Sequence, residues 1–225
     1  MGKTIAIMQS NYIPWKGYFD LIRRSDTFVI YDCVQYTKND WRNRNLIKTP
    51  SGLQWLTIPV YHKLNQRIDK TVVSDRYWAM NHWRTISQFY CRAKYFDRYA
   101  EIFEDLYLNI DTPFLSEINV KFIEAVCRIL GINTPIINCN TLQLVEGQSE
   151  RLVDICKQLG ADKYLSGPAA KNYLNVDMMN KEGIEVEWMT YDYPEYNQLY
   201  PPFEHGVTVL DLIFNTGEEA MSYVA

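Results

Sequence analysis

The densest run of side chains able to do chemistry lies between residues 38 and 48. It holds Lys38, Asn39, Asp40, Trp41, Arg42, Asn43, Arg44, Asn45 and Lys48. Four bases stand there beside one acid, in a chain whose net charge is −4. Successive side chains of an extended segment alternate, so Arg42, Arg44 and Lys48 would share one face and Asn43 and Asn45 the other. Such a basic face suits a diphosphate or a carboxylate, because guanidinium offers planar bidentate donors. A solvated basic edge strand is the plain alternative. Trp41 and the two asparagines weigh against it, being poor choices for a charged rim.

Three further polar groups accompany this run: Gln9-Ser10-Asn11-Tyr12-Ile13-Pro14-Trp15, Asp32-Cys33-Val34-Gln35-Tyr36 and Ser166-Gly167-Pro168. The amides of Gln9 and Asn11 can meet hydroxyls, amides or a nucleobase edge. Free N–H groups at the start of the helix that follows Pro14 favour an anion, and Ser166-Gly167 before a helical turn offers the same to a phosphate. Asp32, at a strand end, could orient an amine or act as a base, or simply cap a turn. Of the three histidines, His82 beside Trp83 is the preferred general base over His62 and His205, since imidazole titrates near neutrality. A lone histidine is more often structural, and any one polar loop is more often an ordinary turn. Convergence of several is what favours a site.

The elements that must position these groups read as α/β. Thr4–Gln9 is a short buried strand, Trp15–Arg24 a helix with Pro14 at its start, and Thr27–Cys33 a second strand. That is the length of a strand–helix–strand unit with parallel pairing. A hairpin is expected where Asn45–Lys48 and Gln54–Val60 flank Thr49–Gly52, followed by a surface loop over residues 61–80. Met80–Arg92, Tyr95–Leu108 and Thr112–Leu130 read as helices, the last with Thr112 as N-cap, Pro113 at the first helical position and Gly131 as C-cap. Alternation then resumes: strands at Thr134–Asn138, Lys163–Leu165 and Ile184–Thr190, helices at Ser149–Leu159, Thr208–Asn215 and Gly217–Tyr223, and a helical turn at Ala169–Leu174. The expectation is one α/β domain over residues 1–225 with a helical insertion at 80–130. In open sheets of this kind ligands sit beyond the carboxyl ends of the strands, which brings the loops after Gln9, Asp32 and Ser166 to one edge.

Composition bounds the function. A pI near 5.5 carries no chain-wide basic footprint for nucleic acid, leaving only a local patch at 38–48 for that reading. The five cysteines are scattered without a Cys-x-x-Cys pair, so neither a zinc ribbon nor a redox motif is signalled and no metal site is expected. No apolar run approaches a membrane span and the N-terminus lacks the pattern of a secretory signal, so a cytoplasmic protein is expected. Glycine-rich dinucleotide and phosphate loops, the hydrolase nucleophile elbow and the zinc-protease motif are all missing from the sequence. Aromatic residues reach 14%, which serves cores and also sugar- or base-stacking sites.

Gln9–Phe19, Asp32–Lys38, Trp41–Asn45 with Ile47-Lys48-Thr49, Trp55–Val60, His82-Trp83, Tyr164–Gly167 and Asp211–Asn215 together resemble the WbqC-like family over nearly the whole chain. Ser10 departs from the proline usual there. The resemblance implies a role in bacterial O-antigen, lipopolysaccharide and related surface-polysaccharide biosynthesis. The favoured reaction is N-acyl or aminoacyl transfer to the amino group of a nucleotide-linked amino sugar. Gln9, Asn11, Tyr12, Trp15, Gln35, Tyr36, Lys38, Trp41, Arg42, Asn43, Arg44, Lys48, Ser166 and Gly167 would bind substrate, and Asp32 or His82 would handle the amine proton. The layout also looks like the adenylate-forming nucleotidyltransferases related to pantothenate synthetase. Their paired first-motif histidines are replaced here by Gln9-Ser10-Asn11-Tyr12, so ATP and acyl-CoA stay open as donors. A non-catalytic assembly subunit and an ATP-dependent amide-forming ligase are the alternatives, and homo-oligomer formation is open.

Overall fold

The computed structural model describes residues 2–224. In chain order its strands are β1 Thr4–Met8, β2 Thr27–Ile30, β3 Arg44–Thr49, β4 Gly52–Thr57, β5 Ile136–Asn138, β6 Lys163–Ser166 and β7 Glu185–Trp188. Its α-helices are α1 Lys16–Arg23, α2 Trp78–Tyr90, α3 Phe96–Leu108, α4 Leu115–Leu130, α5 Ser149–Gln158, α6 Val176–Lys181 and α7 Val209–Thr216. The chain divides into two compact units. The first takes residues 1–9, 17–33 and 132–192, and the second takes 10–16, 34–131 and 193–225.

The first unit is an α/β layer built on a five-stranded sheet of order β5-β2-β1-β6-β7. Each neighbouring pair in it is parallel. β1 and β2 are apolar runs whose Ile5, Ala6, Phe28 and Val29 are wholly buried, as expected where helices cover both faces of a parallel sheet. The chain moves outward from β1 through β2 to β5, then returns to the other side of β1 with β6 and β7. The strand order therefore reverses between β1 and β6, the position where open parallel sheets bind ligands.

The second unit holds the antiparallel hairpin of β3 and β4, paired from Arg44↔Thr57 to Thr49↔Gly52, with α2, α3, α4 and α7. The helices expected between 80 and 130 belong here, together with the hairpin and the C-terminal segments. Tyr12, Tyr36, Tyr90, Phe103, Tyr107, Phe122 and Phe214 are among its largest fully buried side chains. Tyr107 and Phe122 meet at 4.7 Å, and Phe96 and Phe214 at 5.1 Å.

Several boundaries differ from the sequence reading. Thr112 does not cap α4. Its hydroxyl accepts from the Phe114 amide at 3.2 Å, and the helix begins at Leu115. The cause is a β-bridge between Val72 and Phe114, which holds the chain extended there. Gly131 does end α4 in the left-handed conformation, φ 68°. Residues 61–80 are less loop-like than expected, with a 3-10 turn at Ile68–Lys70 and α2 starting at Trp78. Helix α6, capped by Asn175 through the Met178 amide at 3.0 Å, was not expected. The last segment, Gly217–Tyr223, is 3-10 rather than α.

Candidate functional site

Each unit carries its own group of candidate side chains. In the first, the parallel register brings Gln9, Asp32, Ser166 and Gly167 to the carboxyl ends of β1, β2 and β6, as the sequence predicted. The Gln9 carbonyl accepts from the Tyr18 hydroxyl at 3.0 Å, and the Tyr31 amide donates to the Met8 carbonyl at 2.8 Å. Asp32 follows in a turn and is fully buried. Ser166 donates to the Tyr164 hydroxyl at 3.3 Å. Gly167 lies close to Tyr191: a Cβ there would stand 3.1 Å from the Tyr191 hydroxyl. Gln9, Ser166 and Gly167 flank the strand-order reversal.

In the second unit the loop from Ser10 to Lys16 is held from several sides. Ile13 has φ +37°, a strained conformation for a β-branched residue. Asn45 stabilises it by donating to the carbonyls of Tyr12 at 3.1 Å and Ile13 at 2.8 Å, while its own Oδ1 accepts from the Leu46 amide at 2.7 Å. Asn119, buried on α4, donates to Ser10 Oγ at 3.1 Å and to the Arg42 carbonyl at 2.8 Å. The Arg42 guanidinium donates to Asn11 Oδ1 and pairs with Asp40 at 3.3 Å. Arg42 thereby holds the Asn11 side chain by its Oδ1. These contacts shape a cavity of about 270 Å³ lined by Asn11, Pro14, Trp15, Trp41, Asn45 and Gly206.

The basic run does not form one anion-binding face. Arg42 is tied to Asn11 and Asp40. Burial opposes ionisation of Asp40, but Arg42, the Thr37 hydroxyl and the Trp41 amide outweigh it and hold the carboxyl below its ordinary range. Lys48 is buried and donates to Gln198 Oε1 at 2.7 Å and to the Pro202 carbonyl. It anchors backbone, and burial pushes its ammonium down. Arg44 lies 4.1 Å above the Trp55 ring, with Trp41 5.4 Å from the same ring. Its Nε, like that of Arg42, is buried without an acceptor among the described residues. With Arg42 and Lys48 bonded elsewhere, Arg44 and the exposed Lys38 are the members of the run placed to meet an anion. Asn43 is buried and donates to the Ile58 carbonyl at 2.8 Å.

His82 is not placed as a general base. It is 8% exposed, its Nδ1 meets the Tyr12 hydroxyl at 2.8 Å, and Tyr12 in turn meets Tyr107 at 2.6 Å. Trp78 stands against the imidazole at 5.3 Å. Burial lowers its pKa to about 4, partly opposed by a backbone contact at Thr57, so the ring is neutral and enclosed. Tyr12 is thus a core residue too, its hydroxyl used inside. Tyr36 is buried with its amide donating to the Gln66 carbonyl at 2.8 Å, while Gln35 is exposed in a bridge to Arg67. Neither joins the cavity.

Sequence reasoning missed Asn119, Lys16 and Asp211. Asn119 interrupts the buried face of α4 between Ile118 and Phe122, and a polar residue on an apolar stripe was the available signal. Asp211 sits likewise inside the apolar Val209–Phe214 run. It accepts from Tyr90 at 2.9 Å and Tyr196 at 2.8 Å. Lys16, buried, donates to the Pro194 carbonyl at 3.1 Å over the rings of Tyr193 and Tyr196 at 5.1 and 5.3 Å. Among the described residues no group of three or more His, Cys, Asp or Glu side chains is placed to hold a metal ion, and no helix is long and apolar enough to cross a membrane.

An α/β protein with a parallel sheet in one unit and a tryptophan-walled cavity in the other is the class these features define. The chain belongs to the WbqC-like protein family, whose model matches residues 9–223. It is also similar to the uncharacterized protein Rv1507c of Mycobacterium tuberculosis, with 45% identity over 99% of this chain and 97% of that protein. No solved structure matches it.

Proposed function

We propose that this protein modifies a nucleotide-linked amino sugar for surface-polysaccharide synthesis, by N-acyl or aminoacyl transfer to the sugar amine. The observation that carries the reading is the cavity of about 270 Å³ between Trp15, Trp41 and Pro14, with Asn11 oriented by Arg42. It falls just below the roughly 300–1,000 Å³ of pockets that enclose a whole drug-sized ligand, so it suits one ring of a larger molecule. Indole faces pack on the C–H face of a sugar or on a base, and the Asn11 amide nitrogen donates to a hydroxyl. Arg44, stacked on Trp55, supplies the charge for a diphosphate. The strand-order reversal at Gln9 and Ser166-Gly167 supports nucleotide chemistry in the sheet unit, and the all-parallel sheet supports the likeness to adenylate-forming nucleotidyltransferases. ATP and acyl-CoA are accordingly the donors to test. Neither His82, which is enclosed, nor Asp32, which is fully buried, is assigned the amine proton.

The test has two stages. UDP-, dTDP- and GDP-linked amino sugars are screened by thermal shift, where a ligand at a hundred times its dissociation constant adds about 2.7 kcal/mol. Binders are then incubated with acyl-CoA, or with ATP and an amino acid, and the sugar is weighed. A mass gain, with binding weakened about tenfold by Arg44→Ala, is the expected result. Binding without a mass gain would instead favour the non-catalytic subunit, and no binding at all sinks the reading.

A further inference from the structure

Strand β4 is an open edge. β3 is its only strand neighbour, and Gly52, Leu53, Gln54 and Trp55 are exposed in succession. Leu53 is 47% and Trp55 42% exposed. Their side chains point to one face of the strand and Gln54 to the other, so both faces meet solvent. In an antiparallel pair, alternate residues turn both backbone groups toward the partner. The Ile58 amide donates to the Asn43 carbonyl at 2.7 Å. By the same register Gly52, Gln54 and Leu56 bond toward β3, and Leu53 and Trp55 turn their N–H and C=O outward. Among the described residues no backbone bond or bridge from outside the hairpin reaches either one. Proteins usually blunt such an edge with a charge or a proline. Residues 52–57 carry neither.

We propose that this edge is the interaction surface for a second copy of the chain, the two β4 strands pairing antiparallel about a two-fold axis between their Gln54 residues. The segment is self-complementary in that register, as a two-fold interface requires. Leu53 of each copy stands opposite Trp55 of the other. Both residues turn their backbone outward, so each such pair exchanges both of its hydrogen bonds. An aliphatic–aromatic cross-strand pair forms on either side of the axis on one face. On the other face the two Gln54 amides meet, each a donor and an acceptor. Residues 49–57 bear no charge, so two copies of an acidic chain meet there without like charges opposed. Leu53 of one copy is set beside the Trp55 ring over which Arg44 of the other lies, and each copy thus extends the other's aromatic face.

Sedimentation velocity over a concentration series reads the state, on the Cys91→Ser protein so that the exposed Cys91 cannot link copies. Expected is a reversible shift from the 26.5 kDa chain to twice that mass. Leu53→Lys places a charge in both cross-strand pairs and should weaken the dimer by about tenfold or more. Position 53 is exposed, and an unchanged circular dichroism spectrum checks that the variant is folded. Crosslinking under diamide reads the register. In Gln54→Cys the new thiols face each other in a non-hydrogen-bonded pair, with Cα atoms about 4.5 Å apart, within reach of a disulfide. Leu53→Cys lies on the diagonal, about 7–8 Å from its counterpart, beyond that reach. Gln54→Cys should therefore crosslink and Leu53→Cys should not. A monomer at every concentration overturns the proposal and leaves the edge to an extended segment of another protein. A dimer indifferent to Leu53→Lys, or one that crosslinks equally through both cysteine variants, overturns it as well. Neither readout involves a nucleotide-linked sugar, so the outcome is separate from that of the sugar-modifying reading.

Discussion

The two units satisfy their buried backbone by different means. In the sheet unit the ladder between parallel strands does the work, and polar side chains such as Gln9, Asp32 and Ser166 stand at strand ends. In the hairpin-and-helix unit two irregular segments, 10–16 and 193–208, carry carbonyls that no ladder reaches. Side chains reach them instead: Asn45 to Tyr12 and Ile13, Lys16 to Pro194, Lys48 to Pro202, Gln198 to Glu204. Buried backbone must be paired one way or the other. The lesson is that buried polar residues in the second unit are structural by default, whatever chemistry their types suggest.

Asp211→Ala gives the largest test of that contrast. It leaves the buried hydroxyls of Tyr90 and Tyr196 without their acceptor, and we expect a loss of about 3–5 kcal/mol in urea unfolding at neutral pH. Asp211→Asn keeps an acceptor and should cost less. Burial raises the Asp211 pKa, against the opposing bonds from Tyr196 and Tyr90 and the charge of Lys48. A carboxyl whose folded value lies above its unfolded one contributes stability at low pH that is lost as pH rises through the folded value. Asp211→Asn should remove that loss. A mild alanine variant would break the comparison.

The next effect is His82. Its folded pKa is about 4 against the ordinary 6.5, so the unfolded chain takes up the proton first. Stability should fall as pH drops from 6.5 to 4, by about 3 kcal/mol from this group. In His82→Gln the slope of unfolding free energy over that window should shrink by one proton. An unchanged slope would mean that the imidazole is not enclosed.

How much of this was legible depends on which physics set each feature. The parallel strands, the hairpin at Thr49–Gly52 and the Gly131 cap follow from local apolar patterning and turn chemistry, and they fell where expected. The loop after β1 was legible as polar. What the sequence could not reveal was where its neighbours' side chains go. Arg42, Arg44 and Lys48 look equivalent at alternate positions, yet Lys48 is drawn to the 193–208 segment, 150 residues away in sequence. Arg42 turns to Asn11, and Arg44 stacks on Trp55. Alternation fixes a face, but tertiary partners decide which charges on it are already spoken for. His82 misled for the same reason, since its partner Tyr12 lies 70 residues off and Tyr12 in turn bonds to Tyr107, 95 residues from it.

Asn45→Ala should rank third. It removes two donated bonds to carbonyls and one accepted from an amide, and it releases the strained turn at Ile13. A cost of about 1–3 kcal/mol is expected, with faster backbone amide exchange through residues 11–14 as the local sign. Unfolding without that local loss of protection would show that the turn is held by packing rather than by Asn45.

Ser166→Ala marks the other pole and should have the smallest effect. Ser166 is buried, but its hydroxyl donates only to Tyr164, at a long 3.3 Å. Its backbone stays paired in the sheet: the Met189 amide donates to its carbonyl at 2.8 Å whatever the side chain is. Stability should change by less than about 1 kcal/mol, while affinity for the nucleotide-linked sugar should drop if strand ends serve the ligand rather than the fold. A loss of stability as large as that of Asn45→Ala would erase the distinction between the two units. A small stability change with unaltered binding would keep the distinction and take Ser166 out of the ligand's reach.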